Sequence, residues 1–188
     1  LLVVVHRVQR HGVERLPAKP GGIILIDSGD PKDTQGILSS VGDRARKSVE
    51  LAATDKPGFN LTESGTDETI STLSDLEKEK DHWRVVADHL KNRDLCRQGL
   101  AMFRGSLNQK LLGEMLTEEH RILSETLGIS TPKIDAILKL CNEAGAYGGK
   151  INGSGGGGTC FCYAPDAESH RRVTEALSAA GVRHFSVV

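Results

Sequence analysis

Gly153, Gly155, Gly156, Gly157 and Gly158 crowd into six residues of the stretch "YGGKINGSGGGGTCFCYAP", Tyr147 to Pro165. Such a run presents backbone N–H groups with no Cβ in the way, which is how many loops hold phosphates and other anions. Gly153, Gly155 and Gly158 also satisfy the spacing G-x-G-x-x-G. A dinucleotide-binding turn of that spacing must open a helix, whose N-terminus receives the pyrophosphate. Here "TCFCY" follows, and its alternation reads as a strand, so that use is excluded. The P-loop pattern needs Lys and Ser or Thr straight after the last glycine. Thr159 follows Gly158 without a lysine, and Lys150 lies on the wrong side. Two readings stay open: a loop lining a ligand site, or a plain hairpin linker. An ordinary hairpin needs only about two to five loop residues, and consecutive glycines are entropically costly to order. Both points favour a loop whose backbone approaches a ligand or another loop. Ser154 could bond within the loop or to that ligand.

Four further side chains could face such a ligand: Lys150, Lys32, Thr34 and Tyr147. For Lys150 a structural pairing is the competing reading, and the favoured one. Lys32 and Thr34 follow a strand end, where ligands often sit, but a solvated loop with a helix cap suits them better. Tyr147 comes just ahead of the loop and could line its cleft. His120, in "TEEHRIL", reads as a helix-surface histidine. His82 and His89 are seven apart on one helix, with no Cys or carboxylate to complete a metal set. Trp83 and Met102 read as packing residues. Cys96, Cys141, Cys160 and Cys162 read as reduced thiols, because two side chains on one strand face are poorly placed to bond each other. No metal site is expected.

The elements that must hold these residues alternate in period. Leu1 to Leu16 reads as a strand turning polar after Val5, and "GIILIDSG" as a buried strand ending at Asp27. Asp33 or Thr34 can cap a helix from about Ile37 to Ala53, with Ile37, Val41, Ala45, Val49 and Ala52 on one face. Thr54 to Thr66 is a loop. Asp67 to Gly128 is helical throughout, with breaks expected at Asn92–Asp94 and Gly105–Ser106. Ser130 or Thr131 caps the next helix, Pro132 sits in its first turn, and Gly145 ends it. Then come a strand ("GGKIN"), the glycine loop, a strand ("TCFCYA"), a capped amphipathic helix and a final strand ("VRHFSVV"). This order predicts an α+β domain: an antiparallel sheet in split-βαβ, ferredoxin-like arrangement, covered on one face by helices, plus a helical subdomain.

The chain has 188 residues, 38% of them hydrophobic, enough for one packed domain with a helical extension. A net charge of -1 gives no basic surface for nucleic acid or membrane lipid. No apolar run approaches the ~20 residues that span a bilayer, and the opening residues lack the marks of a signal peptide. A cytoplasmic protein, with no nucleic-acid or membrane partner, is the expectation.

Lys150 to Gly158 matches throughout the pattern K-[ILM]-x-G-[AS]-G-x-G-G, and so resembles the third, C-terminal motif of the GHMP small-molecule kinases. "LLGEMLTEEHRILSETLGISTPKIDAILKLCNEAGAYGGKI" is similar to the helical lead-in of galactokinases and mevalonate kinases. "IILIDSGDPKDTQGILSSV" looks like the strand and loop that open their C-terminal region. The resemblance covers roughly residues 23 to 188. It implies that 1–188 is a GHMP kinase C-terminal domain: strands over 1–27 shared with an N-terminal half, a helical part over 67–128, and helix, glycine loop and βαβ over 129–188. It also implies ATP-dependent phosphorylation of a small-molecule hydroxyl, a sugar as in galactokinase or else mevalonate. ATP and Mg²⁺ would serve the full-length enzyme, with neither held tightly by this chain. Gly153, Ser154, Gly155, Gly156, Gly157 and Gly158 would wall the cleft. The family's ATP loop, P-x-G-x-G-L-G-S-S-A, does not occur here, and its catalytic base would precede residue 1, so no catalytic residue is assigned and Asp27 is not given that role. The chain reads as a C-terminal portion, inactive alone, whose exposed face could favour a homodimer. A reading of another class is a non-catalytic split-βαβ module for metabolite binding or assembly.

Overall fold

A computed structural model describes residues 16–32 and 34–187. The strand expected over Leu1 to Leu16 therefore lies outside the described residues, apart from Leu16 itself, as does a cap by Asp33. The first strand, β1 (Ile23–Asp27), is followed by α1 (Thr34–Asp55), α2 (Thr66–Ser71), α3 (Asp75–Glu79), α4 (Asp81–Arg104) and α5 (Gln109–Arg121). One π-helical turn (Ile122–Thr126) prolongs α5, and α6 (Pro132–Glu143), β2 (Gly148–Ile151), β3 (Thr159–Tyr163), α7 (Ala167–Ala179) and β4 (Arg183–Val187) complete the chain.

The four strands stand in the order β2-β3-β1-β4, every neighbouring pair antiparallel. β1 thus separates β3 from β4, and β3 separates β1 from β2. This is the split βαβ twice over, with the first crossover expanded into the helical part. Register places Leu25 between Phe161 and Phe185, and Asp27 between Thr159 and Arg183.

Alternation along the strands sorts the two faces. Ile24, Ile26, Cys160 and Cys162 are fully buried against Ile134, Leu138 and Cys141 of α6 and Val173 and Leu177 of α7. The four cysteines are free thiols. Burial pushes the Cys160 thiol up to about 12, and Cys162 is raised by its contact with Cys141 and by burial, so both act as small apolar core residues. The other face was expected to be open. Instead Ile23, Phe161 and Tyr163 pack with Met102, Leu112, Met115 and Leu116, so α5 and the end of α4 cover its β2–β3 side. Towards β4 it remains open, with Phe185 53% and Val187 48% exposed.

The expected break at Asn92–Asp94 is absent: α4 runs unbroken from Asp81 to Arg104. The triplet holds no Gly or Pro, and its polar groups serve the preceding loop. Arg93 donates to the carbonyls of Leu61 and Ser64 at 2.7 and 2.8 Å, and Asp94 pairs with Arg93 and Thr66. The chain breaks earlier, at Ser74, where the hydroxyl accepts from Glu77 N–H and the Glu77 carboxylate accepts from Ser74 N–H. The S-x-x-E pattern of that capping box stands in the sequence at Ser74 and Glu77. The break at Gly105 stands. For α6 the expectations hold: Thr131 accepts from Ile134 N–H at 3.2 Å, Pro132 opens the helix, and Gly145 follows it at φ +105.

α5 lies so close to β2 that a Cβ on Gly113 would sit 2.5 Å from that of Tyr147, and one on Gly148 would meet the Gly113 carbonyl. Gly→Ala within a helix ordinarily gains about 1 kcal/mol. Gly113→Ala is expected to lose about 2 kcal/mol by denaturant unfolding, because the backbone contact outweighs propensity. A gain would mean that α5 can shift freely off β2. Among the described residues, no helix is long and apolar enough to cross a membrane.

Candidate functional site

The glycine loop joins β2 to β3 and is held between two other segments. From the β1–α1 side, Ser28 donates both its N–H and its hydroxyl to the Gly158 carbonyl, at 2.9 and 2.6 Å, and Gly158 N–H donates to Asp30 O at 3.1 Å. From the side of α6, the Ile129 carbonyl accepts Gly156 N–H at 2.7 Å. Asn152 N–H closes the hairpin on Thr159 O at 2.9 Å. The two flanking segments are themselves tied: Asp30 accepts from the Thr131 hydroxyl at 3.0 Å and faces Lys133 Nζ at 3.5 Å.

This seating explains why glycines are required. A Cβ on Gly155 would fall on Ile129, and one on Gly157 on the Pro31 carbonyl. Gly153, Gly155, Gly156, Gly157 and Gly158 all have φ between +72 and +113, the region other residues avoid. The cost of ordering them is offset by contact with two loops. The N–H groups of Gly153, Ser154, Gly155 and Gly157 donate to no partner among the described residues. The Ser154 hydroxyl is buried and has no hydrogen-bond partner. Lys32 lies against the same loop: its Nζ is 2.9 Å from where a Gly153 Cβ would be, and its stem 3.4 Å from the corresponding point on Gly158. Unpaired N–H groups, a buried hydroxyl without a partner and an ammonium group thus belong to this loop and its neighbour, donor types of the kind that hold oxyanions.

The other expected side chains divide. Lys150 is buried and paired with Glu119 Oε1 at 3.1 Å, a structural pairing that turns it away from the loop. Thr34 is the exposed first residue of α1, with no described contact to the loop. Tyr147 is a correction. It pairs with Tyr163, N–H to carbonyl, at the end of the hairpin remote from the glycines, about 13 Å away at the rise of a strand. Its ring stands edge-on to Tyr163 at 6.3 Å.

His120 is a second correction. It is not a surface histidine: its side chain is 14% exposed, its Nδ1 accepts from Ile151 N–H at 3.3 Å, and its Nε2 lies 3.0 Å from Asp135 Oδ1. Burial pushes the imidazole below its usual pKa, against the attraction of Asp135. Ser28, Asp30, Ile129, Asp135 and Glu119 were missed; each acts through a contact distant in sequence, and none carries a local motif. Asp27, at the foot of the loop, is paired with Arg183 and accepts from Gly29 N–H, which hold its carboxyl below the usual range and leave it a weak proton acceptor. Among the described residues, no group of three His, Cys, Asp or Glu side chains is placed to hold a metal.

Sheet order and hairpin together define a ferredoxin-like domain whose glycine loop is clamped between two other segments. Residues 102–183 match the family model described as GHMP kinases C terminal. Over that segment the chain is similar to the C-terminal part of the GHMP kinases, whose members are phosphotransferases. The mevalonate kinase of Thermococcus sibiricus is 37% identical over 82 residues, 44% of this chain and 24% of that protein. The galactokinase of Dictyostelium discoideum is 29% identical over 75 residues, 40% of this chain and 14% of that protein. The fold matches Lactococcus lactis galactokinase, solved with galactose, at a TM-score of 0.67 and 15% identity, covering 89% of this chain and 45% of that one. The chain thus spans less than half the length of the proteins it matches.

Proposed function

We propose that this chain supplies one wall of the active cleft of an ATP-dependent kinase acting on a small-molecule hydroxyl. The observation that carries the reading is the buried, unpartnered Ser154 hydroxyl among the free N–H groups of the glycine loop. Phosphate oxygens are acceptors that donors of this kind can take up, and Lys32 would offset their charge. When bound, ATP supplies the phosphoryl group. The loop's share is to orient and stabilise charge, the main protein contribution in such transfers. Mg²⁺ would accompany ATP, but the loop offers it no carboxylate: Asp30 is engaged by Thr131 and Lys133, and Asp27 by Arg183. These residues do not fit a Mg²⁺ site.

Two acceptors are in view. The greater identity to a mevalonate kinase, 37% against 29% for a galactokinase, supports mevalonate as the first to try. A sugar hydroxyl is the second. Both are distinguished by a coupled ADP-release assay on the full-length gene product with mevalonate, galactose and related sugars. Turnover of neither, with ATP binding intact, would overturn the kinase reading. The 188 residues contain no P-x-G-x-G-L-G-S-S-A segment, so by themselves they are expected to release no ADP. Millimolar ATP should nevertheless shift the amide resonances of Gly153 to Gly157 in the chain alone, and Ser154→Ala should weaken that response.

A further inference from the structure

Three elements meet at one imidazole. Glu119 and His120, adjacent on α5, both reach β2: Glu119 takes the Lys150 ammonium and His120 takes the Ile151 N–H. Neighbouring N–H groups of an edge strand alternate in direction. Asn152 N–H points into the hairpin, to Thr159 O, so Ile151 N–H points outward and depends on His120 for its partner. From α6, Asp135 accepts from His120 and from two hydroxyls, Ser130 at 2.6 Å and Ser124 at 3.1 Å. Ser130 follows Ile129, whose carbonyl holds Gly156. His120 therefore links the strand that enters the glycine loop to the turn on which the loop rests.

We infer that His120 is a positioning residue for the glycine loop, acting only as the neutral imidazole with its proton on Nε2. Nδ1 must carry a lone pair to accept from Ile151, so Nε2–H donates to Asp135. A second proton on Nδ1 would face the Ile151 N–H and expel it. The charged groups around the ring are Asp135 of α6, which favours the proton, Lys150 of β2, which opposes it, and Glu119 of α5, which is engaged by Lys150. Burial opposes protonation most strongly. The sign follows: with its folded pKa below the ordinary ~6.5 of histidine, the neutral ring stabilises the fold fully above that pH. This contribution is lost as pH falls from there through the folded pKa. The inference concerns loop geometry, and it bears on phosphoryl transfer only if the kinase reading holds.

Native-state hydrogen exchange on the 188-residue chain tests it, each amide being corrected for intrinsic rate. Between pH 7.5 and 5, protection of Ile151 and Gly156 should fall about 10-fold, the scale of one lost hydrogen bond. Val173 and Leu177 in α7 should hold. His120→Ala should show the low protection at both pH values. His120→Gln, which can accept from Ile151 and donate to Asp135 without titrating, should restore protection and remove the pH dependence. An equal loss in α7, an acid loss that persists in His120→Gln, or full protection of Gly156 in His120→Ala would each overturn the inference. Exchange reads the loop whether or not the full-length protein turns over a substrate, so this inference and the kinase reading fail separately.

Discussion

Gly155→Val is expected to lower unfolding free energy by about 3 kcal/mol and to abolish the ATP-dependent shift of the loop amides. Two effects add. At φ +83 a β-branched residue is strained by roughly 1–2 kcal/mol. Its Cβ would also fall 2.6 Å from the Ile129 Cβ and against the Ile129 carbonyl, the group that anchors Gly156. Overpacking of that kind costs roughly 1–3 kcal/mol where the neighbour is backbone and cannot rotate aside. Gly181→Ala is the control, because Gly181 has a comparable φ of +68 with nothing within 4 Å of its Cβ position. It should lose about 1 kcal/mol from backbone strain alone. Urea denaturation of both variants separates strain from contact. Equal losses would mean that the loop does not rest on Ile129 and is only a strained hairpin.

What the sequence revealed about this site was local. The strand after the glycines, the Thr131–Pro132 helix start and the Gly145 stop are written within a few residues each, and all three were readable. The alternation of strand and helix patterns pointed to an antiparallel split-βαβ sheet, and the observed order β2-β3-β1-β4 is of that kind. The seating of the loop was not readable. Ser28 and Gly158 meet across 130 positions, and nothing in "DSGD" announces a carbonyl partner that far away. His120 looked like a surface residue because two glutamates precede it. One of them, Glu119, turns inward to Lys150 and carries His120 with it to the strand edge. Tyr147 was misplaced because nearness in sequence was taken for nearness in space, although the four residues of β2 intervene. The α4 break failed for a related reason. Polarity at Asn92–Asp94 marked residues that brace a neighbouring loop, and only Gly or Pro would have marked an end.

Lys150→Met is expected to cost 3–5 kcal/mol, the range for removing one partner of a buried ion pair. The side chains of Lys150 and Glu119 are 8% and 11% exposed, so the Glu119 carboxylate would be left in the interior with its counter-charge gone. Glu119→Leu should cost a similar amount by leaving the ammonium unpaired. The double variant Lys150→Met with Glu119→Leu should regain most of the loss, because replacing both charges by apolar groups of similar size is often neutral. A lysine that served phosphate would behave otherwise. Lys150→Met would then leave unfolding in ligand-free buffer unchanged and lower only ATP affinity, and the double variant would rescue nothing. Thermal and urea unfolding of the four proteins in the cycle, without nucleotide, decides between them. High salt should not mimic the substitution, since a pair shielded from solvent is weakly screened. A pair that behaves in this way fixes α5 to β2 one residue ahead of Ile151. The lysine of the glycine motif would then act at the root of the loop, holding the strand from which it springs, while the ammonium group beside Gly153 is that of Lys32, from the β1–α1 side.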